Sequence, residues 1–349
     1  MKLNPIPVAF IATLFLLQCA LSSTAQPDEK SSVHVGFVYP ISNHGNRAAD
    51  ATNSFSFHLI AGISKAETGF SMAGLSNIVK EDAAGFQLAG FSNIIGRNST
   101  GFLMSGFLNR YENGQGVNIA GFSNLAKAST GGFTVAGFLN SYESGKGIQV
   151  SGFSNLASQD IKGFQIAGFL NKANKVNGVQ LAGFMNIADS SDYPIALLNW
   201  IEDGTKAIGL STDEDQIVLT SFRSGGRVLY GILGVGYQVT NKELNYAFEG
   251  GLGAHLLAKS SFSLNAEIAS TNLVDFDGGT YSKVALRLLP AYKFTKNIEL
   301  YAGPTFNHVY ADTDEGVGMI KHELWKRTYS GGEVGALTIG FVGGLQWYF

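Results

Sequence analysis

Gly163-Phe-Gln-Ile-Ala-Gly-Phe-Leu-Asn171 is the clearest copy of a nine-residue phrase that returns eight times between residues 69 and 186. The copies are in register by their closing asparagines, Asn77, Asn93, Asn109, Asn124, Asn140, Asn155, Asn171 and Asn186, at intervals of 15 or 16 residues. Self-similarity at a fixed period decides the architecture before any other feature does. Within the phrase the side chains alternate with period two, which is the signature of a strand. Phe164, Ile166, Gly168 and Leu170 then share one face, and Gln165, Ala167, Phe169 and Asn171 share the other.

The connections select between two topologies. After Gly-Phe-Ser-Asn the chain continues with an apolar pair, Leu125-Ala126 or Leu156-Ala157; after Gly-Phe-Leu-Asn it continues through a polar, turn-like run at 110–114 or 141–145. From Asn93 to Asn171 the two kinds alternate, giving a unit of 31 residues. Two strands joined by unlike turns at opposite ends describe an up-and-down meander, and that is the expected arrangement. A stacked parallel solenoid is the alternative. Phe164 and Phe169 are five residues apart, as are Val179 and Phe184, and recurrent asparagine suits an in-register ladder.

Upstream, residues 33–39 and 54–64 read as strands, the second carrying a worn copy of the phrase at Ala61-Gly62-Ile63-Ser64. Downstream the phrase decays through 193–199. Short strands are expected at 207–211 and 216–222, and longer ones at 228–239, 245–257, 262–269, 281–294, 298–310 and 335–349. In the last of these Leu337, Ile339, Phe341, Gly343, Leu345, Trp347 and Phe349 point one way, and smaller or polar residues point the other. Such alternation over about ten residues marks strands with lipid on one side and a polar interior on the other. The fold expected is therefore an all-β, antiparallel transmembrane β-barrel of about eighteen strands that includes the repetitive meander. The alternative is a solenoid repeat block with a small C-terminal barrel, joined by the strands near Val33 and Phe57.

Composition agrees with a surface that does not face water alone. The chain has 349 residues, 44 of them glycine, only 15% charged residues and a mean hydropathy of +0.10, against about 25% charged in an ordinary soluble domain. A net charge of −3 gives no reason to expect nucleic acid as a partner. The apolar run ending in Ser22-Ser-Thr-Ala25 reads as a secretory leader over residues 1–25. Cys19, the single cysteine, gives a lipoprotein-type processing site as the alternative. Residues 26–349 are then the barrel, with the repeats in 33–200 and the longer strands in 201–349.

Two resemblances bear on location. Gly344-Leu-Gln-Trp347-Tyr-Phe349 resembles the C-terminal signal by which bacterial outer-membrane barrels reach their assembly machinery, with Val342 in place of the usual polar residue. It implies roles for Gly344, Trp347 and Phe349 in assembly, and outer-membrane lipid as a partner. The repeats resemble a family of bacterial surface-repeat proteins, mostly hypothetical, that share Gly-Phe-x-x-Ala-Gly-Phe-x-Asn copies. That family implies a location rather than an activity. A barrel of about eighteen strands would leave a lumen, so the expected function is a passive pore or a structural surface protein; the alternative architecture gives a surface-exposed solenoid for binding or adhesion anchored by a small barrel.

Motifs for chemistry are weak. The glycine phrases at 231–236 and 250–253 lack the strand-then-helix context of a dinucleotide loop, so no cofactor is implied. Asp213-Glu214-Asp215 lacks the glycine and terminal glutamate of a calcium loop and reads as a solvated turn. No Gly-x-Ser-x-Gly elbow is present, no histidines pair at metal-like spacing, and no enzyme is expected. The connection 311–333 is long and charged, and long barrel loops carry recognition. Asp314, His322, Lys326 and Arg327 are its candidate contacts. Glu249, Glu267, Lys283, Arg287 and Lys293 fall on the inward faces, where a narrow barrel would require them to pair.

Overall fold

The computed structural model describes residues 32–226, 228–240, 245–259, 261–274 and 280–349; the expected leader and Cys19 lie outside them. The chain divides into two compact units, one up to Gly163 and one from Phe164 on.

In the first unit the repeats form a β-solenoid. Each coil carries a longer strand, such as Ala83–Ala89, Asn98–Ser105 or Ser144–Ser151, and a short stretch bearing the asparagine, such as Ser76–Val79 or Ser92–Ile95. Both series pair in parallel, with each phrase set beside its own copy: Phe86 against Phe102 and Val117 against Phe133, Asn93 against Asn109 and Asn124 against Asn140. The meander expected for 69–186 is therefore replaced by stacked parallel coils. The nine-residue phrase is also not one strand. A corner at Gly-Phe splits it, as at Gly137-Phe138, between Ser123–Ala136 and Leu139–Tyr142.

The corner resets the side-chain alternation. Gln149 and Ser151 point inward, Gly152 and Phe153 both lie outside, and Asn155 is buried again. This corrects the face assignment made from period two alone, which put the second Phe of each phrase with the asparagine. The corner needs glycine because consecutive coils touch there: a Cβ on Gly137 would lie 2.0 Å from the Gly121 carbonyl oxygen.

Like-on-like stacking satisfies the buried amides. Asn77, Asn93, Asn109, Asn124 and Asn140 each donate from Nδ2 to Oδ1 of the next asparagine, at 2.9–3.0 Å. The second N–H of each goes to a backbone carbonyl of the following coil at 2.7 Å, as from Asn124 to Val135. Only a parallel stack with the period of the phrase presents this pattern at every level.

The alternating connections have a packing origin. Tyr111 and Tyr142 are buried in one class of coil beside Gly114 and Gly145, where a Cβ would meet the tyrosine rings at 2.5 and 3.2 Å. In the other class Ala126 and Ala157 occupy the tyrosine position, and Thr130 and Ile161 occupy the glycine position. Large and small residues thus exchange places from coil to coil, as close packing favours. The extra residue of the longer coils is absorbed by a register shift between Ala126 and Ser129. The unit of 31 residues is real, but it reports core volume and not chain direction.

At the first coil the strand Ser32–Val38 lies parallel to Thr52–Ser64; the strands near Val33 and Phe57 therefore pair with each other and do not join the barrel. An open edge invites pairing with another chain. Asn43 blocks this one, accepting from the Val35 amide at 3.0 Å and donating to the Val33 carbonyl at 2.7 Å.

The second unit opens with coils of the same design, linked by Asn171–Asn186 and Asn186–Asn199 bonds, and then changes to a barrel. Its strands are Thr205–Asp213, Ile217–Gly225, Leu229–Gln238, Tyr246–Ala258, Phe262–Val274, Thr280–Lys293, Ile298–Ala311 and Val334–Tyr348. Each pairs antiparallel with the next, and Thr205–Asp213 closes onto Val334–Tyr348. All eight correspond to strands expected from the sequence. The barrel has eight strands and not eighteen because the repeats lie outside its wall. The final coil meets it where the Asn199 amide donates to Ser224 Oγ at 2.9 Å and Asn199 Nδ2 to the Ser224 carbonyl at 3.2 Å.

Candidate functional site

The barrel interior is an ion-pair network. Arg223 Nε donates to Glu267 at 3.0 Å, Tyr230 donates to the same carboxylate at 2.9 Å, and Arg287 reaches it at 3.4 Å. Arg287 also pairs with Glu249. All four charged side chains are at most 7% exposed, and the two positive charges balance the two negative ones.

Nearer the far end, Lys283 Nζ lies 2.6 Å from Asp213, 2.7 Å from Asp215 and 3.4 Å from Glu214. The acidic turn expected to be solvated is folded inward instead, because Lys283 supplies a buried counter-charge. Glu214 also accepts from the backbone amide of Phe341 at 3.0 Å, and Tyr281 donates to Asp215 at 2.9 Å. At the opposite end Glu299 accepts from Gln346 at 2.7 Å and faces Lys293 at 3.9 Å. The inward charges read from the sequence all find partners. A cavity of about 10 Å³ beside Arg223, Tyr230 and His255 is the volume of a single water.

The outer wall has the opposite character. Leu210, Val235, Ile268, Leu286, Leu300 and Leu345 are 45–59% exposed in a belt. Aromatic residues lie toward both ends: Phe222, Phe262, Tyr292 and Phe294 toward the short turns, Tyr237, Tyr246 and Phe248 toward the other. Trp347 is 52% exposed, and Phe349 packs on it and on Phe222 with ring centroids 5.8 and 6.4 Å apart. Gly344 makes room for Tyr301, whose hydroxyl would lie 2.7 Å from a Cβ at that position. Val342 is buried in a small apolar cluster with Leu289, Ala291 and Tyr301.

The loop candidates lie on two separate elements. Asp314 lies in the short helix Asp314–Gly318, capped by Thr313, whereas Lys326 and Arg327 lie on the strand Glu323–Thr328. Lys326 faces Glu323 at 3.4 Å, and Arg327 lies over the Tyr329 ring. His322 starts this hairpin with a φ of 50°. The strand covers the edge of Val334–Tyr348 beyond the reach of Thr205–Asp213.

A grouping not expected from the sequence lies at the start of the solenoid. His34 stacks on His44 at 4.6 Å and meets His58 edge-on at 4.3 Å. Gly62 takes the rung that Asn77 holds in the next coil, and a Cβ there would fall 1.9 Å from the His58 ring. The missing asparagine of the worn repeat is the signal that points to a different filling. The three rings do not converge on a point that would hold a metal ion.

Burial, and then the neighbouring imidazoles, push His34 down to about 3 and His58 to about 4, and burial also lowers His44. These groups are neutral in the folded state and take up protons more readily when unfolded. Their contribution is fully present above the unfolded value near 6.5 and is lost as pH falls from there toward 4. Burial raises Glu67, so that carboxyl takes up its proton early and opposes the loss. Amide exchange corrected for its intrinsic rate is expected to accelerate over 32–64 between pH 6.5 and 4, and not over 85–155; uniform protection across that range would contradict the assignment.

Comparison with protein-family models, with curated proteins and with solved structures found no match.

Proposed function

We propose that this chain is a bacterial outer-membrane protein without enzymatic activity, in which the eight-stranded barrel is a sealed anchor and the solenoid is a structural module held on its periplasmic side. The observation that carries the reading is the inverted polarity of the barrel: charges paired inside, aliphatic belt and aromatic ends outside. A transmembrane barrel requires both, whereas a water-soluble barrel would have them reversed. The filled interior supports an anchor in preference to a passive pore.

Orientation follows from the connections. Transmembrane barrels keep short turns on the periplasmic side and long loops outside. The long connection from Ile298–Ala311 to Val334–Tyr348 is at the end opposite the C-terminus, and the coil ending at Ile201 meets the barrel at the end where Ile217–Gly225 and Leu229–Gln238 are separated by three residues. This favours a periplasmic solenoid over the surface-exposed alternative.

Expressed with its own leader in a Gram-negative host, the protein is expected in the urea-resistant outer-membrane fraction, with heat-modifiable migration and no steady conductance in planar bilayers. Recovery from the soluble periplasm would overturn the anchor, and stable single-channel steps would overturn the seal. Phe349→Asp is expected to abolish outer-membrane recovery by blocking handover to the assembly machinery. The barrel strands would still be able to pair, since Phe349 lies beyond the end of Val334–Tyr348. Normal outer-membrane levels of F349D would remove the C-terminal signal from the account.

A further inference from the structure

The solenoid also carries a continuous apolar band on its outside. In the first unit the corner phenylalanines Phe91, Phe107, Phe122, Phe138 and Phe153 form a column of parallel rings 4.8–5.0 Å apart, each 39–49% exposed. Beside it runs a second outward column, Met72, Leu88, Met104, Ile119, Val135 and Val150, and beyond that a third with Phe86, Phe102, Phe133 and Ile148. No polar side chain interrupts these three columns from Phe70 to Phe153. So long an apolar band exceeds what monomeric proteins leave to water and marks an interaction surface.

The charges indicate what covers it. The charged side chains next to the band are Arg110 on one flank and Lys146 and Lys162 on the other, all exposed. Every carboxylate between residues 69 and 163 (Glu81, Asp82, Glu112, Glu143 and Asp160) lies at the far corner of the coil. An apolar band with basic flanks matches a bilayer interface, where lysine and arginine stems extend along the acyl boundary and their heads meet lipid phosphates. The same band laid face to face on a second copy would bring like charges together.

We propose that this face of the solenoid seats on a membrane surface and takes anionic glycerophospholipid, with the phenylalanine column in the acyl boundary and Arg110, Lys146 and Lys162 on the headgroup phosphates. The choice of glycerophospholipid over lipopolysaccharide rests on the periplasmic orientation given above. The apolar band and its basic flanks do not depend on it.

The test uses the full chain in a Cys19→Ser background, reconstituted through its barrel, with an environment-sensitive fluorophore on single cysteines at Phe138, Glu143 or Leu286. In phosphatidylcholine vesicles containing phosphatidylglycerol, brominated acyl chains are expected to quench the label at 138 by about twofold or more and leave the label at 143 unquenched. Lys146→Glu with Lys162→Glu should abolish the quenching at 138, as should omission of phosphatidylglycerol.

Leu286, on the barrel wall, separates the two readings. Quenching at 286 without quenching at 138 overturns the present inference and leaves the anchor standing. No quenching at 286 overturns the anchor. A pyrene label at 138 that gives excimer emission in place of lipid quenching would assign the face to a second copy. Quenching at 138 only when lipopolysaccharide replaces phosphatidylglycerol would overturn the choice of lipid.

Discussion

Replacing Glu267 by alanine is expected to cost the barrel about 3–5 kcal/mol, the penalty for breaking a buried ionic cluster from one side. Glu267 accepts from Arg223, Tyr230 and Arg287, and its removal leaves two guanidinium groups with one paired carboxylate between them, Glu249, which bonds Arg287 and not Arg223. Arg223 retains Ser221 Oγ at 2.6 Å and the Tyr301 ring at 4.9 Å, neither of which carries a negative charge. Urea titration of the reconstituted protein, followed by loss of heat-modifiable migration, reads the effect. Arg223→Met combined with Glu267→Leu should recover part of the loss, since a cluster removed together sheds its desolvation cost as well as its attraction. A loss below about 1 kcal/mol for Glu267→Ala would mean that water reaches the guanidinium groups. The interior would then be wet, and the pore reading would return.

That network was legible in outline before the fold. Glu249, Glu267, Lys283 and Arg287 fall on inward faces by period two alone, and a narrow barrel forces them to pair. The identity of the pairs was not legible, because Arg223 and Glu267 are 44 residues apart and only the register of the closed sheet brings them together. Asp213, Glu214 and Asp215 show the same limit. As a tripeptide they read as a solvated turn, and nothing local announces that Lys283 waits 68 to 70 residues away.

The repeats were legible as strands but not as a direction of pairing. Period two is the same in parallel and antiparallel sheets, so Phe164, Ile166 and Gln165 could be placed on faces without deciding the topology. The unlike connections after Asn109 and Asn124 pointed to a meander because turn chemistry usually reports position. Here it reports volume, with Tyr111 above Gly114 in one coil and Ala126 above Thr130 in the next. The histidine group was hidden for a related reason: His34, His44 and His58 meet only because Ser32–Val38 lies parallel to Thr52–Ser64.

Two adjacent glycines separate the topologies. Gly132→Ala is expected to destabilise the solenoid by more than about 3 kcal/mol, whereas Gly131→Ala should stay within about 1 kcal/mol of the parent. Gly132 has a φ of 86°, and a Cβ there would lie 2.2 Å from the carbonyl oxygen of Gly116 in the neighbouring coil. The left-handed backbone alone costs an L-residue about 1–2 kcal/mol. The contact adds to this because the oxygen belongs to a backbone held by parallel pairing on its other side, through Gly101 against Gly116, and so cannot retreat. At Gly131 the nearest atom to a Cβ is the end of the flexible Gln115 side chain, at 3.4 Å, so the methyl group fits, and the lower entropy of the unfolded chain partly offsets any crowding. Amide-exchange protection across 85–155 measures both variants in the full chain, and local protection lost around 116–133 in G132A but kept in G131A is the expected result. Equal effects would contradict the parallel stack, because its rung geometry is what sets Gly132 against Gly116 while leaving Gly131 free.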